Sequence, residues 1–250
     1  VRELSFVRPP LPEQKQIVDI LDKAFAAIDI AKANAEQNLQ NAKELFESYL
    51  QNVFENKGDD WEEKKIIEIC RLINGKAYKK KELLNEGKYR VLRVGNLFTN
   101  KHWYHSDLEL AEDKYIDKGD LIYAWSASFG PRIWTEEKVI YHYHIWKVIP
   151  DNKLVTKEFL HLLFEWDKEK IKKAQGTGTT MMHVGKGSME DREILLPPLN
   201  QQKQIVKNLN NLKTETKKLE AIYTQKIADL EEMKKAILEK AFKGELTSAA

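Results

Sequence analysis

Pro9-Pro10-Leu11-Pro12-Glu13-Gln14-Lys15-Gln16-Ile17-Val18 returns as Pro197-Pro198-Leu199-Asn200-Gln201-Gln202-Lys203-Gln204-Ile205-Val206, with eight of ten positions identical at an offset of 188 residues. Each copy opens a polar stretch of helical pattern, roughly forty residues long. Pro12 stands at a first helical position, where a missing N–H costs nothing. From Ile17 onward a three-four spacing selects Ile17, Leu21, Ala24, Ile28, Ala31, Ala35, Asn38, Ala42, Leu45, Tyr49 and Asn52, of which nine of eleven are apolar if Ala is counted. That is a narrow seam of coiled-coil type, and its alanines permit close helix approach. The same positions 188 residues on are Ile205, Leu209, Leu212, Leu219, Tyr223, Leu230, Met233 and Ile237, interrupted by Thr216 and Lys226. The seam predicts helix pairing through Ile17, Leu21, Ile28 and Leu45 and through Ile205, Leu209, Leu219, Leu230 and Ile237. Leu50 and Phe54 recur as Leu238 and Phe242, and Gly58 and Gly244 are the expected helix stops. Each helix would be ~65 Å long at ~1.5 Å per residue.

The segment between the copies has another character. It holds all six tryptophans and the histidines. Ile66–Ile73 reads as a helix turning into a strand, while Arg90–Val94, Leu121–Trp125 and Lys138–Ile149 read as strands. Thr156 is an N-cap candidate for an amphipathic helix, Gly176–Thr180 is a loop, and Asp191–Leu196 returns the chain as a strand. The expected fold is α+β: one mixed α/β domain flanked by two long coiled-coil-type helices. Its expected parts are residues 1–11 as the end of a preceding domain, 12–58 and 197–244 as the helices, 59–196 as the α/β domain and 245–250 as a tail.

Charged residues make up 32% of the chain, yet the net charge is only +2, so no global basic field points to nucleic acid. Residues 59–196 carry 24 Lys/Arg against 23 Asp/Glu. Residues 74–105 depart from that balance, with Lys76, Lys79, Lys80, Lys81, Lys88, Arg90, Arg93 and Lys101 against Glu82 and Glu86 alone. Tyr78, Tyr89, His102, Trp103, Tyr104 and His105 are interleaved with them. Lysine clusters by themselves are usually solvated faces. Here the cations can neutralise phosphates, Arg93 can fork onto guanine, and Asn96 can do the same for adenine. Gly75 would let a loop approach a duplex closely. Trp125, Ser126 and Ser128 sit on a loop after a strand and offer hydroxyl contacts. Tyr141-His142-Tyr143-His144 alternates across the expected strand, with His142 as a contact candidate and ordinary core aromatics as the rival interpretation. Thr177 and Thr179 lie on the Gly-rich loop.

Catalytic patterns are missing from the sequence. There is no Asp/Asn-Pro-Pro-aromatic motif, no P-loop spacing, no His-Glu-x-x-His and no Cys/His cluster for zinc. One cysteine, Cys70, rules out a disulfide framework within the chain and fits a reducing compartment. The first residues lack a signal-peptide core, and no apolar run approaches the ~20 residues that span a bilayer. The expected setting is cytoplasmic, with no membrane partner, no metal site and no cofactor in this chain. The chain begins with Val, as a fragment would.

Both Pro-Pro-Leu-x-x-Gln-Lys-Gln-Ile-Val entries, Lys118-Gly119-Asp120-Leu121-Ile122, Ser128-Phe129-Gly130 and Gly176-Thr177-Gly178-Thr179 together resemble the specificity subunit of type I restriction-modification systems. The resemblance covers nearly the whole chain and matches a half-length form, with one target-recognition domain between two spacer helices. It implies a non-catalytic subunit that binds double-stranded DNA at a bipartite site. It implies two methyltransferase subunits using S-adenosylmethionine and restriction subunits using ATP and Mg as partners. It leaves open a two-fold homodimer or a hairpin of the chain's own helices. Rivals from other classes are a coiled-coil interaction scaffold and a free-standing DNA-binding repressor.

Overall fold

The computed structural model describes residues 9–98, 101–126, 129–175 and 183–247. In chain order the elements are α1 (Leu11–Glu55), β1 (Glu62–Lys65), α2 (Ile66–Ile69), β2 (Cys70–Asn74), β3 (Tyr89–Leu92), α3 (Val94–Phe98), β4 (Tyr104–Ser106), β5 (Tyr115–Ile116), β6 (Leu121–Ala124), β7 (Gly130–Ile133), β8 (Val139–Tyr141), β9 (Ile145–Pro150), α4 (Lys157–Gln175), α5 (Lys186–Glu190), β10 (Glu193–Leu196) and α6 (Leu199–Lys243). The expected architecture is present: a mixed α/β domain between two long helices. The chain divides into two units, residues 1–48 with 210–250 and residues 49–209.

The sequence repeat is also a structural one, since α1 and α6 are each 45 residues long and begin and end 188 residues apart. In the first unit the helices of the one chain pair antiparallel. Lys32 Nζ meets Glu231 at 2.7 Å, Lys234 Nζ meets Asp29 at 2.8 Å, and Thr247 Oγ1 donates to Glu13 at 2.9 Å. Exposed ion pairs are screened by water and salt, so these fix register more than they hold the helices together. The holding falls to a stripe of small and apolar residues. Ile28, Ala35, Ala42 and Thr216 are buried, with Ile17, Leu21, Leu230 and Ile237 half-buried beside them.

Two of the expected pairing residues lie outside this stripe: Leu45 is 46% exposed and Leu219 is 37% exposed. A straight helix drifts by about 20° per heptad from a 3.5-residue repeat. The stripe accordingly moves on to half-buried Phe46 and Ile227. Gly58 also falls outside its expected role, because α1 ends at Glu55. Gly244 does terminate α6, with φ +73° and the Glu245 N–H reaching back to the Lys240 carbonyl at 2.9 Å.

The second unit contains two four-stranded sheets, ordered β2-β9-β6-β7 and β4-β3-β8-β5, and a β1-β10 ribbon. All pairings are antiparallel except β3 with β8. Every residue of β6 is buried, as a strand covered on both faces must be. Ile122 and Ala124 join Leu92, Leu97, Ile116, Trp134, Val139, Tyr141 and Ile145 in one core. On the other face Tyr123 stacks on Trp146 at 5.8 Å and meets Phe164 of α4 edge-on at 5.4 Å. Phe54, near the end of α1, packs on Phe159 and Trp166 of the same helix. Thr156 caps α4, its Oγ1 accepting from the Phe159 N–H at 3.3 Å. The single strand expected at Lys138–Ile149 is instead β8 and β9, one in each sheet. The chain crosses between them at a turn closed by Ile145 N–H to His142 O at 3.0 Å.

Gln202, in the first turn of α6, is fully buried. Its Nε2 donates to Leu154 O and Pro197 O, both at 2.8 Å, and its Oε1 accepts from Thr156 N–H at 2.9 Å. The repeat-equivalent Gln14 donates to Pro9 O at 2.6 Å, and among the described residues that is its side chain's one hydrogen bond. Gln202→Ala leaves buried backbone groups unpaired and should destabilise the α/β unit by about 2–4 kcal/mol, whereas Gln14→Ala should cost under about 1 kcal/mol. Urea titration followed by tryptophan fluorescence reads the Gln202→Ala loss, since all six tryptophans lie in that unit, and helical circular dichroism reads Gln14→Ala.

Candidate nucleic-acid interface

Lys79, Lys80, Lys81 and Lys101 are exposed and make no ion pair among the described residues. Lys76 differs: its ammonium is paired with Glu82 at 2.9 Å and lies 5.3 Å from the Tyr78 ring centre. Tyr78 is half-buried, packed against Val91, Tyr115 and Ile140, and burial pushes its phenol well above the usual range. Its ring lies nearly parallel to that of His142, at 6.3 Å.

Arg93 sits between β3 and α3, just beyond the strand that carries Arg90. Its guanidinium stacks over Tyr104 at 5.1 Å, while Arg90 stacks over Trp103 at 4.7 Å and pairs with Glu136 at 3.3 Å. Asn96 is occupied elsewhere. Its Oδ1 accepts from Arg93 N–H at 3.0 Å and its Nδ2 donates to His102 O at 2.8 Å. The amide expected to fork onto adenine therefore clasps the start of α3 to the segment that carries Tyr104.

Trp125 and Ser126 are engaged within the chain. The Trp125 indole N–H donates to Tyr143 O at 2.8 Å, and its ring meets His144 edge-on at 4.8 Å. Ser126 is buried at 5% exposure and forms an isolated bridge with His183. Ser128, Thr177 and Thr179 lie outside the described residues. Gly75 does allow a close approach, but to the chain's own backbone. A Cβ there would overlap the carbonyls of Tyr141 and His142, with the His142 carbonyl carbon at 2.6 Å.

The turn at 142–144 falls where a continuous strand is expected. A usable signal for it is the polar trio His142-Tyr143-His144 between two pairs of large apolar residues, Ile140-Tyr141 and Ile145-Trp146. Its rings crowd together, with His142 and Tyr143 at 4.6 Å, Tyr143 and His144 at 3.9 Å, and His142 and His144 at 4.9 Å. Burial pushes the His142 imidazole down to about 4, with His144 and the Arg93 guanidinium adding to the effect. His144 is also lowered, chiefly by burial. Both rings are thus neutral at pH 7, and the cationic groups of this surface are the lysines and arginines. Among the described residues no cluster of His, Cys, Asp or Glu could hold a metal ion, and no helix is long and apolar enough to cross a membrane.

A half-buried neutral histidine gives a pH signature. Between its ordinary value near 6.5 and its folded value near 4, the unfolded chain binds more protons than the folded one. Stability should be full above about pH 6.5 and fall progressively on acidification towards pH 4. Thermal midpoints measured across that window should show the loss, and His142→Gln should flatten it.

A family model described as the type I restriction modification DNA specificity domain matches residues 58–231, more than half of the chain. The type I restriction enzyme MjaVIII specificity subunit of Methanocaldococcus jannaschii is 29% identical over 189 residues, covering 74% of this chain and 42% of that protein. Among solved structures, a chain from work on complex assembly and conformational transition of the type I R-M system aligns with a TM-score of 0.79 at 19% identity, over 95% of this chain and 61% of that one. The HsdS subunit from Thermoanaerobacter tengcongensis aligns with a TM-score of 0.69 at 20% identity, over 95% and 60%. The chain thus spans less than two thirds of the length of these proteins, and the structural likeness is one of fold. The extent of the family match decides membership: this chain belongs to the type I restriction-modification DNA specificity family.

Proposed function

We propose that this chain is the sequence-reading component that directs partner methyltransferase and restriction subunits to a bipartite DNA site. The observation that supports this is the set of exposed, ion-pair-free Lys79, Lys80, Lys81 and Lys101 together with the Arg93–Tyr104 stack, all within the residues matched by the specificity-family model. The lysines would contact phosphates and set register, and a few side chains would read base edges. The paired helices would present a docking surface to two modification subunits. In this role the chain is non-catalytic. The modification subunits bring S-adenosylmethionine, and the restriction subunits bring ATP and Mg. A bipartite site requires two reading domains, which a two-fold homodimer of this chain would supply. A cytoplasmic setting goes with that role.

The test is duplex binding by the full chain, with and without modification subunits, at several salt concentrations. Sequence-specific binding with a steep salt dependence is expected. Converting Lys79, Lys80 and Lys81 to Ala should lower the salt slope by about 0.9 for each phosphate no longer neutralised and weaken all sequences alike. Arg93→Ala should relax preference at one base pair, at about 1–3 kcal/mol. Absence of duplex binding under every condition would contradict the proposal, and binding as tight and specific without partners as with them would favour a free-standing repressor.

A further inference from the structure

We infer that the turn at residues 142–144 is a base-reading element, with Tyr143 as a specificity-determining side chain and Gly75 as the residue that positions it. The inference rests on the DNA-recognition role proposed above and gives that role an address.

Every backbone N–H and C=O of the turn has a hydrogen-bond partner. His142 N–H donates to Leu92 O at 2.9 Å, Tyr143 N–H to Lys76 O at 3.0 Å, and His144 N–H to His142 Nδ1 at 3.5 Å. His142 O accepts from Ile145 N–H at 3.0 Å and His144 O from Trp125 N–H at 3.0 Å. Tyr143 O accepts twice, from Trp125 Nε1 at 2.8 Å and Asn74 Nδ2 at 3.2 Å. A turn with its main chain fully engaged offers only side chains to a partner.

Tyr143 is the exposed member, at 36%, and it stands between His142 and His144. Its phenol can donate to and accept from base edges, and its ring can lie against a thymine methyl or an unstacked base. The bracing leaves little backbone freedom to lose on binding, which favours discrimination. Neighbouring imidazoles that are neutral add no attraction of their own for phosphate.

The lysine segment is fastened to the same turn. Lys76 N–H donates to Tyr141 O at 2.9 Å while Lys76 O accepts from Tyr143 N–H, so the segment leading to Lys79–Lys81 is tied to the turn by two backbone hydrogen bonds. That close passage depends on Gly75, where a Cβ would overlap the Tyr141 and His142 carbonyls. Backbone carbonyls cannot swing aside as a flexible side chain would. Gly75→Ala must therefore displace the turn without removing any reading group.

The experiment is selection from a randomised duplex library by the full chain together with its modification subunits, for the wild type, Tyr143→Ala and Gly75→Ala. Tyr143→Ala should keep the thermal midpoint and lose about tenfold in preference at one or two adjacent base pairs while the rest of the site is unchanged. Gly75→Ala should lose preference at those same base pairs with Tyr143 still present; a merely structural role would weaken all sequences equally. A folded Tyr143→Ala chain that selects the wild-type site at every position would overturn the inference and leave the DNA-recognition proposal standing. Should the wild type select no site at all, the broader proposal fails. Tyr143 lies at an exposed tip, so its variant decides the matter even if Gly75→Ala does not fold.

Discussion

One buried amide determines how the α/β unit is closed. Gln202 joins the first turn of α6 to Pro197 just before it and to the Leu154–Thr156 segment that starts α4. A hydrogen-bonding group with no access to water must satisfy its partners or incur a desolvation cost, so the position tolerates few substitutes. The same motif at the start of α1 places Gln14 in half-exposed surroundings, with the Pro9 bond alone among the described residues. Identical local chemistry therefore has different weight at the two ends of the repeat. Around Gln202 the partner is the packed α/β unit.

Much of the frame was legible in the sequence. Two stretches that agree at eight of ten positions leave little room for different local structure, and both helices end where the offset places them. The seam was less secure. A strict three-four count accumulates phase error along a straight helix, which is why Leu45 and Leu219 stand in solvent while Phe46 and Ile227 take part. Thr216 breaks the apolar pattern in the sequence yet is buried, where its hydroxyl donates to Lys213 O at 3.2 Å.

The candidate interface was legible in composition and poorly legible in the partners its residues find. Excess positive charge over residues 74–105 could be counted, and the exposed lysines follow from it. What a count cannot contain is the partner each group finds in space. Asn96 is taken up by Arg93 N–H and His102 O, Ser126 is buried, and Trp125 becomes a hydrogen-bond donor to a turn residue. Gly75 needs a small residue for contact with Tyr141 and His142, which lie 66 and 67 positions further along the chain. Short-range pattern holds no trace of that requirement. The turn at 142–144 escaped for a related reason, because strand-forming residues on both sides conceal a crossing from one sheet to the other.

In the proposed role, DNA meets residues 76–81, 93–98 with 101–104, and 142–144. Hydrogen–deuterium exchange on the full chain with modification subunits, with and without a cognate duplex, is the decisive measurement. Duplex binding should slow exchange in those three segments and leave the α1–α6 stripe as it was. Protection confined to the helices, with the three segments unchanged, would contradict that placement.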